Sequence, residues 1–382
     1  MERKLRMGMV GGGIGSFIGP VHRIAASIDN KIELVSGAFS SSKEKSFLSG
    51  KNLYLNPDRI YSDYIEMFSK EQHIHSDNRI DFVSIVTPNN SHYEIIMKAL
   101  DSGFHVVCDK PMTFNSQQAI EVEKKVNETK KLFCLTHNYT GYPMVKEAKD
   151  IIAKNQLGNI RKIVVEYPQG WLATKVENNA PVWRTNPKIA GISSCIGDIG
   201  THCENLVEYI TGLQIVELCA DLSSFVEDRE LDDDGSVLLR FNNGAKGILW
   251  ASQIAVGQEN GLNIRIFGEF ASIAWRQENP NYLQIDYLDK PREIRTAASS
   301  FVGEISMNST RIPAGHPEGF LEAFANVYKN FANELSDLIS GEKLPVHKEY
   351  DYPKVQDGVR GMKFLEAVVK SSDNRNQWVK IS

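Results

Sequence analysis

The chain has 382 residues, a formal net charge of −5, 42% apolar residues and 24% charged residues. That length allows two domains, and the composition is that of an ordinary globular protein. A mildly acidic chain gives no reason to expect affinity for nucleic acid or for a membrane surface, and no apolar run approaches the roughly 18 residues of a membrane span. The first six residues are basic and lead straight into a strand-like run, so we expect no secretory signal. Five scattered cysteines without a CxxC pair suit free thiols in a reducing cytoplasm, and no structural metal is expected.

In chain order, residues 7–10 read as a short strand that enters Gly11-Gly12-Gly13-Ile14-Gly15-Ser16. A helical spacing follows through Val21, Ile24, Ala25 and Ile28. Strand patterns at 32–39, 82–86, 104–109 and 132–136 alternate with helical patterns at 61–68, 92–100 and 116–130, with Ser91 as a candidate cap. This alternation predicts a doubly wound parallel sheet over residues 1–140. From 141 to 382 the texture changes. A helix at 142–155 precedes strands at 162–167, 215–222, 236–241, 245–255, 262–267, 271–275 and 282–287, interrupted by a helix at 202–211. Asn242-Asn243-Gly244 is a hairpin signal. Helices at 319–340 and 354–371 complete an α+β domain with a large, open, mostly antiparallel sheet.

Gly11-x-Gly13-x-x-Ser16 after the first strand is a dinucleotide-binding fingerprint. The first glycine permits the turn, the second lets backbone approach the pyrophosphate, and Ser16 takes the third small position. Gly15 and Ile14 lie in the same loop, and the following helix offers its amide-rich end to phosphate. After the second strand stand Ser40, Ser41 and Lys43, with no acid before Glu44. They could accept a 2′-phosphate, or Lys43 could simply open a surface helix, so NAD is the expected cofactor with NADP left open. Cys108-Asp109-Lys110-Pro111 follows a buried strand, where open α/β sheets bind ligands, and Pro111 biases Lys110 toward an extended conformation.

Farther along, Asp198 and His202 lie four residues apart in Gly197-Asp198-Ile199-Gly200-Thr201-His202. At the mouth of a helix the carboxylate could set the tautomer of a basic imidazole; a capping Asp with a structural His is the other reading. Trp171, Thr174, Lys175, Trp183 and Arg184 combine aromatic faces and cations in loop-like sequence, as a carbohydrate site would. His316 lies in a second polar cluster before the helix at 319–340.

Together, the Gly11–Gly15 loop, Thr87-Pro88-Asn89 with His92, Asp109-Lys110-Pro111 and Asp198-x-Gly200-x-His202 resemble the glucose–fructose oxidoreductase / inositol dehydrogenase (Gfo/Idh/MocA) family. That family usually carries Glu-Lys-Pro where this chain has Asp109. The resemblance implies a Rossmann domain, with Thr87, Pro88, Asn89, His92, Asp109 and Lys110 lining the cofactor. It implies catalysis by Lys110, Asp198 and His202, and substrate contact by Tyr139. The second domain often mediates oligomers, so a homodimer or homotetramer is expected. More narrowly, the segments around Trp171, Trp183 and His316 resemble the branch containing levoglucosan dehydrogenase. This implies oxidation of a ring hydroxyl, at C3 of a pyranose or pyranoside. That branch also includes NAD-dependent glycosidases acting on sulfoquinovosides without net redox change, for which Lys175 would be an anion contact. A nucleotide-sensing regulator on the same fold is the non-enzymatic alternative.

Overall fold

The computed structural model describes residues 3–175, 182–341 and 350–381. The chain forms two compact units. One holds the chain up to Asn138 together with Phe324–Val359, and the other holds Tyr139–Ala323 with the chain from Arg360 onward.

The first unit contains five parallel strands in the order β2-β1-β3-β4-β5: β1 (Leu5–Gly11), β2 (Ile32–Ala38), β3 (Phe82–Val86), β4 (His105–Cys108) and β5 (Phe133–Leu135). Every residue of β3 and β4 is buried, which is why both read as mostly apolar runs, each with one polar residue (Ser84 and His105), rather than as alternating ones. The connecting helices are Ile18–Ile28, Lys43–Asn52, Tyr64–Glu71, His92–Asp101 and Ser116–Thr129. Ser42, Asp63 and Asn115 cap three of them by accepting a backbone N–H from the first turn. Ser91 does not cap the helix after it. Its hydroxyl lies 2.8 Å from both Thr87 Oγ1 and the Pro88 carbonyl oxygen, and so braces the loop leaving β3. Strand order reverses between β1 and β3, and Gly11 pairs with Val86 there. The crevice of a doubly wound sheet opens at that reversal.

The stretch 324–359 belongs to this unit, a division that sequence texture did not show. Its share of the helix Phe320–Ser340 turns aromatic residues to the parallel sheet: Phe331 packs edge-on against Phe82 at 5.1 Å, and the Tyr328 hydroxyl lies 2.9 Å from Ser84 Oγ.

The second unit is built on nine strands: β6 (Lys162–Pro168), β7 (Ile215–Ser223), β8 (Asp234–Phe241), β9 (Lys246–Ser252), β10 (Asn263–Phe267), β11 (Ala271–Arg276), β12 (Tyr282–Tyr287), β13 (Glu293–Thr296) and β14 (Val379–Lys380). Their order is β13-β12-β11-β10-β6-β9-β8-β7-β14. Among the described residues the pairs are antiparallel except β6 with β9. Burial alternates along β8, with Val237, Leu239 and Phe241 inward and Leu238 outward, so one face of the sheet is covered. Gly244, at φ 90°, closes the β8–β9 hairpin that its Asn-Gly signal announced. Short β13 and β14 carried too few residues to stand out as sequence patterns. No helix among the described residues is long and apolar enough to cross a membrane.

One core group makes this fold pH-dependent. His105 opens β4 almost fully buried, and its Nδ1 accepts the Leu132 N–H at 2.8 Å. Burial, reinforced by the nearby charge of Lys131, lowers its pKa to about 4. The fold therefore favours neutral imidazole, so this contribution is complete above the ordinary histidine value and is lost as pH falls toward 4. A His105→Asn variant should remove roughly 3 kcal/mol of the stability difference between neutral pH and pH 4. Urea unfolding at several pH values measures this, and an unchanged pH slope would contradict it.

Candidate active site

The glycine loop owes its path to three contacts. Gly11 and Gly12 adopt φ of 82° and 70°, the left-handed region that favours glycine. A Cβ on Gly12 would lie 2.7 Å from Val86 Cγ2, so the loop hugs the end of β3. The Gly13 N–H donates to the Phe39 carbonyl at 3.2 Å, and the Ile14 N–H donates to Ser49 Oγ at 3.1 Å. These bonds tie the loop to the end of β2 and to the helix after it. Ser16 does not make the close helix contact expected of the third small position. Its hydroxyl accepts the Gly19 N–H at 3.2 Å, and it is Gly19 that meets the loop: a Cβ there would fall 2.3 Å from the Gly12 carbonyl. Gly15, at φ 87°, faces open space. A bare backbone turn, open on one side and followed by a helix end, fits the pyrophosphate of a dinucleotide.

At the end of β2, Ser40 is half-buried and its hydroxyl accepts the Ser42 N–H at 3.2 Å. Ser41 is exposed, and Lys43 is the exposed first residue of the helix Lys43–Asn52. Lys43 Nζ stands 6.0 Å from the Phe47 ring centre.

Asn89 is buried, and Thr87 and Pro88 lead into it from β3. His92 has no exposed surface; Nδ1 lies 2.9 Å from the Pro111 carbonyl and Nε2 lies 2.8 Å from the Thr87 carbonyl. The ring thus staples the β3 loop to the β4 loop instead of presenting an edge to a ligand. Asp109 Oδ1 accepts the Thr136 hydroxyl at 2.9 Å and lies 3.7 Å from His22 Nε2. Burial alone would push this carboxyl up, but His22, Lys110 and His92 outweigh it and hold the pKa at about 2. His137, buried nearby, is pushed down to about 3 by burial and by the Lys110 charge. The Lys110–Pro111 peptide is cis.

In the second unit, Asp198 lies within a π-turn, Ile196–Gly200, that runs directly into the helix Thr201–Thr211 carrying His202. Ser193 and Asp232 shape the approach to that turn. Ser193 Oγ accepts the Gly197 N–H at 3.0 Å, and the buried Asp232 carboxylate accepts Ser194 N–H at 2.8 Å and Ile196 N–H at 2.9 Å. Asp198 Oδ2 accepts from Gln253 Nε2 at 2.9 Å and lies 3.3 Å from Arg184 Nε. His202 is buried, with its ring edge-on to Tyr139 at 4.8 Å. The Tyr139 hydroxyl bonds that of Tyr167, which donates to Asn260 Oδ1 at 2.7 Å; Gln169 Nε2 donates to the same oxygen at 2.9 Å. Trp171 is 40% exposed and donates its indole N–H to Gln169 Oε1 at 3.0 Å.

Two expected contacts are engaged elsewhere. Lys175 is exposed and paired with Asp228 at 2.5 Å, beside a cleft that also holds Glu227 and Glu230. Arg184 packs over the Trp183 ring at 4.6 Å while facing Asp198. Thr174 is exposed, and His316 is exposed in a loop with Nδ1 3.1 Å from the Pro313 carbonyl. Sequence reasoning missed Gly19, His22, Thr136, Tyr167, Gln169, Asp232, Gln253 and Asn260. Of these, Gly19 and His22 carried the fairest signal, because both interrupt the apolar face of the first helix.

This is a dinucleotide-binding domain joined to a sheet domain rich in polar side chains around one histidine, the construction of a nicotinamide-dependent oxidoreductase. The chain belongs to the Gfo/Idh/MocA family: residues 5–137 match the oxidoreductase family with NAD-binding Rossmann fold, and residues 145–274 match the GFO/IDH/MocA C-terminal domain. It is 34% identical to an uncharacterized oxidoreductase, YfiI, of Bacillus subtilis (strain 168), over 99% of this chain and 97% of that one. It is 28% identical to a levoglucosan dehydrogenase of Pseudarthrobacter phenanthrenivorans, over 59% of this chain and 63% of that one. An inositol dehydrogenase homolog of Azotobacter vinelandii, solved with NAD+, matches with a TM-score of 0.95 and 33% identity, covering 100% of this chain and 98% of that one. The cofactor is NAD, and the protein is an NAD-dependent oxidoreductase of the sugar and polyol class.

The Gly12–Gly19 contact gives a direct test of the cofactor loop. Gly19→Ala forces a methyl against the Gly12 carbonyl, at a cost of about 1–3 kcal/mol. NAD affinity, measured by calorimetry, should fall on the order of tenfold with the circular dichroism spectrum kept. Wild-type affinity would show that the close approach does not shape the site.

Proposed function

We propose that this enzyme oxidises one ring hydroxyl of a neutral pyranose, pyranoside or cyclic polyol, with C3 of a pyranose as the leading position. The observation that carries the reading is the setting of Asp198 and His202. A carboxylate fixed by Gln253 and Arg184 stands one turn before a buried imidazole, among the hydroxyls and amides of Tyr139, Tyr167, Asn260 and Gln169. Neutral polar groups of this kind hydrogen-bond sugar hydroxyls without demanding a charge. NAD, when bound, supplies the hydride acceptor. His202 takes the hydroxyl proton, Asp198 orients that imidazole, and Lys110 hydrogen-bonds the reacting oxygen and stabilises its developing negative charge.

A neutral substrate is favoured over an anionic glycoside by the pairing of Lys175 and Arg184, the two cations expected as anion contacts. Lys175 is matched by Asp228, and Arg184 faces Asp198. An anion would have to displace a carboxylate in either place. The Azotobacter homolog has also been solved with NADH and myo-inositol, a neutral ring polyol, and that makes myo-inositol a natural first substrate to test here.

The test is NADH formation by the purified protein with NAD and a panel containing myo-inositol, levoglucosan, free hexoses and sulfonated or carboxylated glycosides, with sugar release followed in parallel. Sustained NADH from a neutral member is expected. Release of an aglycone from an anionic glycoside without NADH would replace this reading with the redox-neutral glycosidase. Lys110→Ala should lower kcat by roughly 100-fold or more while NAD affinity stays within about threefold. Near wild-type turnover in that variant would remove Lys110 from the chemistry.

A further inference from the structure

We propose that His22 is a positioning residue for Lys110, acting through the carboxylate of Asp109. The inference rests on the role given to Lys110 above. His22 lies on the first helix, Ile18–Ile28, with no exposed surface. Nδ1 stands 2.8 Å from the Tyr328 hydroxyl and 3.3 Å from Ser84 Oγ, and those two hydroxyls are 2.9 Å apart. The Phe324 ring closes one side of the imidazole at 4.7 Å. On the far edge, Nε2 stands 3.7 Å from Asp109 Oδ1, the oxygen that also accepts from Thr136.

This arrangement chooses a tautomer. A lone pair on Nε2 would face an ionised carboxylate at close range, whereas an N–H there is attracted to it. Nδ1 is then left as an acceptor, and the linked hydroxyls of Tyr328 and Ser84 can supply its donor. Asp109 is consequently gripped by Thr136 and drawn by His22 from behind, while its backbone continues directly into Lys110. The other titratable groups around this carboxylate are Lys110, His92, His137, Cys108 and Tyr328. Proton transfer through His22 is not part of the proposal. Its ring fixes a carboxylate, and the carboxylate fixes the lysine, as supporting residues hold reacting groups within a fraction of an ångström.

Amide replacements separate the two edges of the ring. His22→Gln can place an N–H where Nε2 stood and keep the pull on Asp109. His22→Asn reaches only to the Nδ1 position and keeps the side facing Tyr328 and Ser84. His22→Asn should lower kcat roughly 10- to 100-fold with KM for substrate and affinity for NAD unchanged, because only the geometry of the reacting group is disturbed. His22→Gln should restore kcat to within about threefold of wild type. Equal kcat in the Asn and Gln variants, or wild-type kcat in His22→Asn, would overturn the proposal. Should His22→Asn not fold, the double variant Tyr328→Phe with Ser84→Ala keeps the ring and deletes both hydroxyls facing Nδ1. A fall in kcat at constant KM supports the proposal there, and unchanged kcat overturns it. Lys110→Ala run alongside separates the two claims. If it is inactive while His22→Asn is at full speed, this inference fails and the role of Lys110 stands. If Lys110→Ala itself is fully active, the underlying reading fails instead.

Discussion

The first unit depends on keeping one carboxylate ionised in a nearly buried place. Asp109 follows the last residue of β4 with its side chain only 16% exposed. Such burial favours the neutral acid, and an uncharged carboxyl would lose its pull on the groups around it. The fold answers with a hydrogen bond from Thr136 after β5 and with the electrostatic pull of His22 on the first helix, Lys110 next in the chain and His92 beyond the β3 loop. Those elements are distant in sequence and adjacent in the sheet. The parallel order β1-β3-β4-β5 is what gathers their carboxyl ends at one edge, so the same topology that opens the cofactor crevice also assembles the cage around Asp109.

The second unit holds its own carboxylate with one amide and one guanidinium, Gln253 and Arg184. Asp198 sits in a π-turn, a one-turn widening of a helix that re-aims side chains and recurs at functional sites. Its backbone is held from the outside by buried Asp232, whose carboxylate meets the Ser194 and Ile196 amides. Its side chain is held from the inside by Gln253 on the strand edge after β9. Beyond it, hydroxyls and amides run from Tyr139 through Tyr167 and Asn260 to Gln169 and Trp171. A chain of neutral donors and acceptors can satisfy itself in the empty state and exchange partners with a polyhydroxylated ring, at little electrostatic cost.

Much of this was legible in the sequence, for reasons that separate into local and long-range physics. Both sheet types followed from period and spacing, because buried parallel strands and half-buried antiparallel strands leave different patterns. The glycine loop was legible because a backbone at positive φ needs glycine, yet its third position was misplaced from Gly19 to Ser16: the pattern records small residues, not which one meets a neighbour. Lys175 illustrates the opposite limit. As a lysine beside a tryptophan and a threonine it resembled an anion contact, and its partner Asp228 lies 53 residues away. Ser91 had the chemistry of a cap, but Thr87 and Pro88 offered its hydroxyl closer partners. His22 and Tyr328, 306 residues apart, show no local mark of their pairing. The amides of Gln169, Gln253 and Asn260 lie in irregular segments where no periodicity points to them.

The central claim is that a ring carbon of a neutral sugar or polyol gives its hydrogen to NAD. The most direct measurement is to supply the neutral substrate that forms NADH fastest, deuterated at the oxidised ring carbon, and to locate the label by NMR. The account predicts deuterium at C4 of the nicotinamide, with a primary isotope effect under single-turnover conditions and a ketone left on the ring. Deuterium retained on the sugar carbon, with a glycosidic bond cleaved and no reduced cofactor accumulated, would contradict it.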